Sequence, residues 1–199
     1  MSSTSAPFGL RPAFHPTGLD RAVSLTDGIA SAYAADILKG QPVKQDTGGT
    51  IVPAAAGDAF LGAFSGVEWT DTTGRRRVSN YWPANTAYQT GSCIAYFYND
   101  PNIVYEIQAD GSVAASAVGD EADLTNVTAG SNVTGLSQCT MSSTLKGATG
   151  QGQMRVVNLA PYPGNAWGDN FTIVRATVAK HQYAQIYTAA NTAAYPVAI

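Results

Sequence analysis

The chain reads as an all-β protein, a compact β-barrel or β-sandwich of short antiparallel strands with extended N-terminal and C-terminal arms. From Gln41 onward, apolar or alternating runs recur roughly every ten residues, near 41–45, 50–53, 60–69, 75–81, 92–98, 103–108, 112–118, 132–140, 153–159 and 171–180. Short runs at such spacing, bounded by turn residues, are the pattern of sandwiches and barrels. Glycine and proline supply the punctuation, as in Thr47-Gly48-Gly49 and Ala56-Gly57-Asp58, where the backbone reverses direction at little steric cost.

Residues 1–20 form the N-terminal arm. Pro7, Pro12 and Pro16 exclude a helix and a central strand there. Phe8, Leu10 and Phe14 make the arm too apolar for a solvated tail, so it packs on its own body, a neighbouring subunit or another protein. Residues 21–90 read as a small β module and 91–183 as a second one or as a continuation of the first. Within the first, Ser31–Asp36 reads as a helical turn too short to stand alone. The segment from Asp36 to Trp69 holds apolar couplets (Pro42-Val43, Ile51-Val52, Phe60-Leu61) between tight turns and offers surface rather than chemistry. Gly111–Asp120 echoes Gly49–Asp58 in spacing, which hints at a second turn–strand–turn unit. Residues 127–152, rich in Thr, Ser and Gly, read as a flexible loop. The clearest strand is Phe171–Lys180, apolar on both faces. Residues 184–199 form a mildly apolar tail.

Only 13% of the 199 residues are charged, about half the usual share. Soluble monomers normally keep more, so part of this surface is expected to be covered by other protein. The net charge of −3 leaves no electrostatic footprint for nucleic acid or an anionic membrane. Arg75, Arg76 and Arg77 are the one basic run. They fall at a hairpin tip, as a solvated turn or as a contact for an acidic partner surface. No run of apolar residues reaches spanning length, and the N-terminus lacks the apolar core of a signal peptide, so synthesis and retention in the cytoplasm are expected.

The search for catalytic chemistry returns little. Cys93 and Cys139 sit in apolar, strand-like surroundings and read as buried free thiols, with a disulfide left open. His15 and His181 have no acid or nucleophile beside them in sequence. Asp120, Glu121 and Asp123 cluster but lack the alternating loop of a cation site. Tyr81-Trp82, Tyr96-Phe97-Tyr98 and Trp167 concentrate the aromatics, as core packing or as anchors for a partner or a sugar. No enzyme, metal or cofactor is therefore expected.

Three stretches carry a resemblance. Ser5-Ala6-Pro7-Phe8-Gly9-Leu10-Arg11-Pro12-Ala13-Phe14-His15-Pro16 is similar to the start of tailed-bacteriophage head proteins. Asp36–Gly62, with Gly40-Gln41-Pro42-Val43 and Gly57-Asp58-Ala59-Phe60-Leu61-Gly62-Ala63 around its end, resembles phage capsid cement, or head-decoration, proteins, as does Asn165–Tyr183. The resemblance implies a virion protein on the outer capsid surface. It would bind the major capsid protein, associate with itself as a trimer or a dimer, and clamp neighbouring subunits. An arm that adds a strand to a partner's sheet edge suits that task. The partner contacts it implies are Phe8, Leu10, Arg11, Phe14, Arg75, Arg76 and Arg77. A tail-tube or connector subunit and a carbohydrate-binding β-sandwich are the alternative readings.

Overall fold

A computed structural model describes residues 2–18, 21–147 and 150–184. The strands are β1 (Arg11–Phe14), β2 (Val23–Thr26), β3 (Pro42–Gln45), β4 (Ile51–Pro53), β5 (Gly62–Thr70), β6 (Arg76–Ser79) and β7 (Ile94–Phe97). They continue with β8 (Val104–Gln108), β9 (Glu121–Thr125), β10 (Gly130–Ser131), β11 (Leu136–Ser137), β12 (Thr140–Leu145), β13 (Met154–Leu159) and β14 (Ile173–Val178). The protein is all-β, and its ladders are antiparallel.

Among the described residues, one six-stranded sheet runs β2-β7-β5-β3-β4 with β6 on the free flank of β5, and another runs β1-β8-β14-β13-β9-β12. The second sheet curls until Ala109 of the segment after β8 bridges Met141 of β12. That single bridge is no ladder, and neither sheet closes into a barrel. β10 and β11 form a separate small hairpin.

Each sheet covers its own core. Ile29, Ile37, Val43, Phe64, Val67 and Trp82 fill the first. Leu10, Tyr105, Ile107, Leu124, Met141 and Val174 fill the second. The Asp36–Trp69 segment joins them, because adjacent side chains of an extended chain face opposite ways. Leu61 enters the first core and Phe60 the second, and both are fully buried. The apolar couplets expected to offer surface are thus interior: Val43 and Ile51 are also fully buried.

Other departures from the sequence reading have local causes. Residues 94–97, placed above in the second module, form β7 and pair with β2 and β5 of the first sheet. Residues 112–118 contain a 3-10 turn at Ala115–Ala117 instead of a strand, so the echo of 49–58 is compositional. The supposed loop at 127–152 holds β10, β11 and β12, whose Thr and Ser side chains bond across strands, as Thr125 and Thr140 do at 2.8 Å. The tail at 184–199 lies outside the described residues beyond Ala184.

Candidate interaction site

The N-terminal arm docks on the molecule's own second sheet. The Ser2 carbonyl accepts the Phe171 N–H at 2.7 Å. The buried Gln108 side chain accepts the Ala6 N–H at 2.8 Å and donates to the Thr4 carbonyl at 3.1 Å. Gly9, at φ +73°, leaves no room for a side chain, since a Cβ would meet the Gly40 carbonyl oxygen at 2.7 Å. That close approach lets Leu10 N–H reach the same oxygen at 2.8 Å and buries the Leu10 side chain in the second core. β1 then pairs with β8, Arg11 opposite Glu106.

Three of the four arm residues singled out in the sequence meet around Glu106. Its carboxylate receives Arg11 at 3.0 Å, Arg175 at 3.3 Å and the Tyr162 hydroxyl. The Arg11 guanidinium lies 4.5 Å from the Phe8 ring centre and 5.4 Å from that of Tyr162, and Arg175 lies 5.4 Å from that of Phe14. Burial would raise the Glu106 carboxyl, but hydrogen bonds from Tyr162, Arg11 and Arg175 outweigh it and hold the group below the usual carboxylate range. Leu10 is a core residue, and the arm's pairing strand is engaged by β8. Phe8, Arg11 and Phe14 keep partial exposure.

The three arginines lie on the β5–β6 hairpin. Arg76 pairs with Glu68 at 2.6 Å and Arg77 with Asp71 at 3.0 Å. Asp71 also accepts the Thr73 hydroxyl and the Thr73 and Arg75 amides. The Thr73 hydroxyl, then the Arg75 amide, hold its carboxyl far below the usual range against its partial desolvation. Among the described residues Arg75 is left with no side-chain partner, so one of the three cations faces outward uncommitted.

Sequence reasoning missed three exposed apolar side chains, one on β6 and two on the β10–β11 hairpin. Val78 is 76% exposed, Val133 91% and Leu136 45%. Asn80, two residues beyond Val78, donates to the Thr134 carbonyl at 3.0 Å, which brings the β10–β11 tip into the neighbourhood of β6. Leu136 also lines a groove with Phe8, Pro12, Phe64 and Tyr98. Val78 sits in an arginine-flanked strand and Val133 in a Thr/Ser/Gly run, and neither context signals exposure.

Cys93 and Cys139 are free, lie in different cores and do not pair, and burial pushes their thiols up to about 11 and about 12. Glu121 pairs with Arg155 and Asp123 with Lys146, both at 2.5 Å. Trp82, fully buried, stacks edge-on with Trp69 at 5.5 Å and Tyr88 at 6.0 Å, and Trp167 packs on the second core. No helix among the described residues is long and apolar enough to cross a membrane. Compared with known proteins, the chain matches no family, no curated protein and no solved structure.

Proposed function

We propose that this chain is a non-enzymatic virion protein that binds the outside of a tailed-phage head and reinforces contacts between major capsid protein subunits. The observation that carries the reading is the exposure of Val78, Val133 and Leu136 on two hairpins that meet through Asn80 and the Thr134 carbonyl. Isolated exposed apolar residues are ordinary, but three on adjoining hairpins of a charge-poor chain favour a protein partner. The resemblance of the arm, of Asp36–Gly62 and of Asn165–Tyr183 to head-decoration proteins supplies the kind of partner. Interface area added across subunit boundaries stabilises a shell by binding only its assembled form.

The contact differs from the clamp implied by the resemblance. The docked arm is support for the body, and the β6 edge with the β10–β11 tip is the attaching face. Cosedimentation with expanded empty heads of the phage that encodes the chain tests this. The wild-type protein binds, and a Val78→Asp/Val133→Asp double variant loses at least about tenfold in affinity, about 1.4 kcal/mol, with unchanged thermal stability. Failure of the wild-type chain to bind such shells overturns the reading.

A further inference from the structure

The chain has two histidines, and the fold brings both to one loop. That loop joins β7 to β8 and carries Asn99 and Asp100. His15, just past β1, places Nε2 at 3.1 Å from Asp100 Oδ2, while its Nδ1 accepts the Thr17 N–H at 3.1 Å. His181, just past β14, is 1% exposed and bridges Phe60. Its Nδ1 accepts two amides, Tyr183 N–H at 3.1 Å and Ala184 N–H at 3.3 Å. An accepting nitrogen carries no proton, so the ring is neutral with its hydrogen on Nε2. Nε2 is buried facing the Leu61 and Asn99 carbonyls without a hydrogen bond of ordinary geometry.

Residues 182–184 are held at this ring and at the end of β3. The Gln182 side chain accepts the Gln45 N–H at 2.7 Å and donates to the Gln45 carbonyl at 3.0 Å. The Tyr183 hydroxyl donates to the Gln45 side chain, and the Tyr183 ring stands edge-on to His181 at 6.0 Å. The ring therefore caps the point from which residues 185–199 continue.

We propose that His181 is a proton-operated latch on the C-terminal segment: a proton on Nδ1 removes the lone pair that caps Tyr183 and Ala184, and residues 182–184 leave the Gln45 edge. Among the described residues one carboxylate acts on the ring, Asp100 of the β7–β8 loop, which is itself paired with His15. From its own segment come Tyr183 and Lys180, the latter directed to the Gly57 carbonyl at 2.5 Å. Phe60 and Leu61 present backbone and apolar surface. Burial lowers the His181 pKa from 6.5, while the Leu61 and Asn99 carbonyls and Asp100 oppose it. An unfolded histidine takes up its proton first, so the stability from the neutral ring is complete above pH 6.5 and is lost as the pH falls below that value.

Amide hydrogen exchange on the full chain, expressed as protection factors between about pH 7.5 and about pH 5, tests the latch alongside an NMR titration of the ring. Protection of Tyr183 and Ala184 falls about tenfold or more at the pH where His181 takes its proton, while β14 stays protected. His181→Asn places a non-titrating oxygen where it can cap the same amides and keeps their protection at both pH values. Asp100→Asn moves the midpoint to lower pH, because it removes the charge that favours the imidazolium. Protection that persists in the wild-type chain with His181 protonated overturns the latch, as does an equal acid loss in His181→Asn.

Discussion

Gln41, Gln108 and Gln153 are each 2% exposed or less, and each uses both ends of its amide. Gln41 accepts Leu38 N–H and donates to the Val127 carbonyl. Gln153 accepts Leu124 N–H and donates to the Ala55 and Asp58 carbonyls. A buried amide is tolerated only when so satisfied, and each of these ties together segments far apart in the chain. None is distinguishable in sequence from a surface glutamine, because its partners lie up to 104 positions away. Glu106 shows the same limit: Arg11, Tyr162 and Arg175 converge on it from the arm, a loop and β14. Glu106→Gln is expected to destabilise the protein by about 1–3 kcal/mol in urea unfolding at neutral pH. Because the folded carboxyl titrates below its ordinary 4.5, its contribution is complete above that pH and declines as the pH falls through the lowered value. The variant should therefore show a flatter acid limb.

At the level of elements, strand existence was legible wherever branched or aromatic residues ran together. Phe171–Lys180 was expected as a buried strand, and β14 occupies Ile173–Val178 with buried positions on both faces. Polar strands were not legible: β12 reads Thr-Met-Ser-Ser-Thr-Leu, a composition shared with loops, and pairing with β9 decides its state. The arm was legible as extended and apolar, whereas its target was not. Because Leu10 fills the second core, Leu10→Ala should cost about 2–5 kcal/mol, measured by chemical denaturation, and deletion of residues 2–14 should cost more by also removing β1. If the deletion left stability unchanged, the arm would be a free clamp and its docking on β8 incidental. Shell attachment by the deletion variant, measured where it remains folded, separates support from direct contact.

For the molecule as a whole, the two sheets share residues too closely to act apart. Phe60 and Leu61 divide between the cores, β1 crosses from the N-terminal arm to the second sheet, and Gln153 grips the Ala55–Asp58 turn. Calorimetry should show one cooperative transition, with the van't Hoff enthalpy equal to the calorimetric one; two resolved transitions would show that the cores melt independently. The sequence by itself determined the all-β class, the low charge, the turns at Thr47-Gly48-Gly49 and Ala56-Gly57-Asp58 and the extended arm, since periodicity and glycine or proline chemistry act over a few residues. Only the tertiary structure decided that the arm belongs to the second sheet, that the apolar couplets of the Asp36–Trp69 segment are interior, which apolar side chains stay outside, and that both histidines come to the loop carrying Asn99 and Asp100. Those outcomes depend on contacts between residues far apart in the chain, and local spacing carries no record of them.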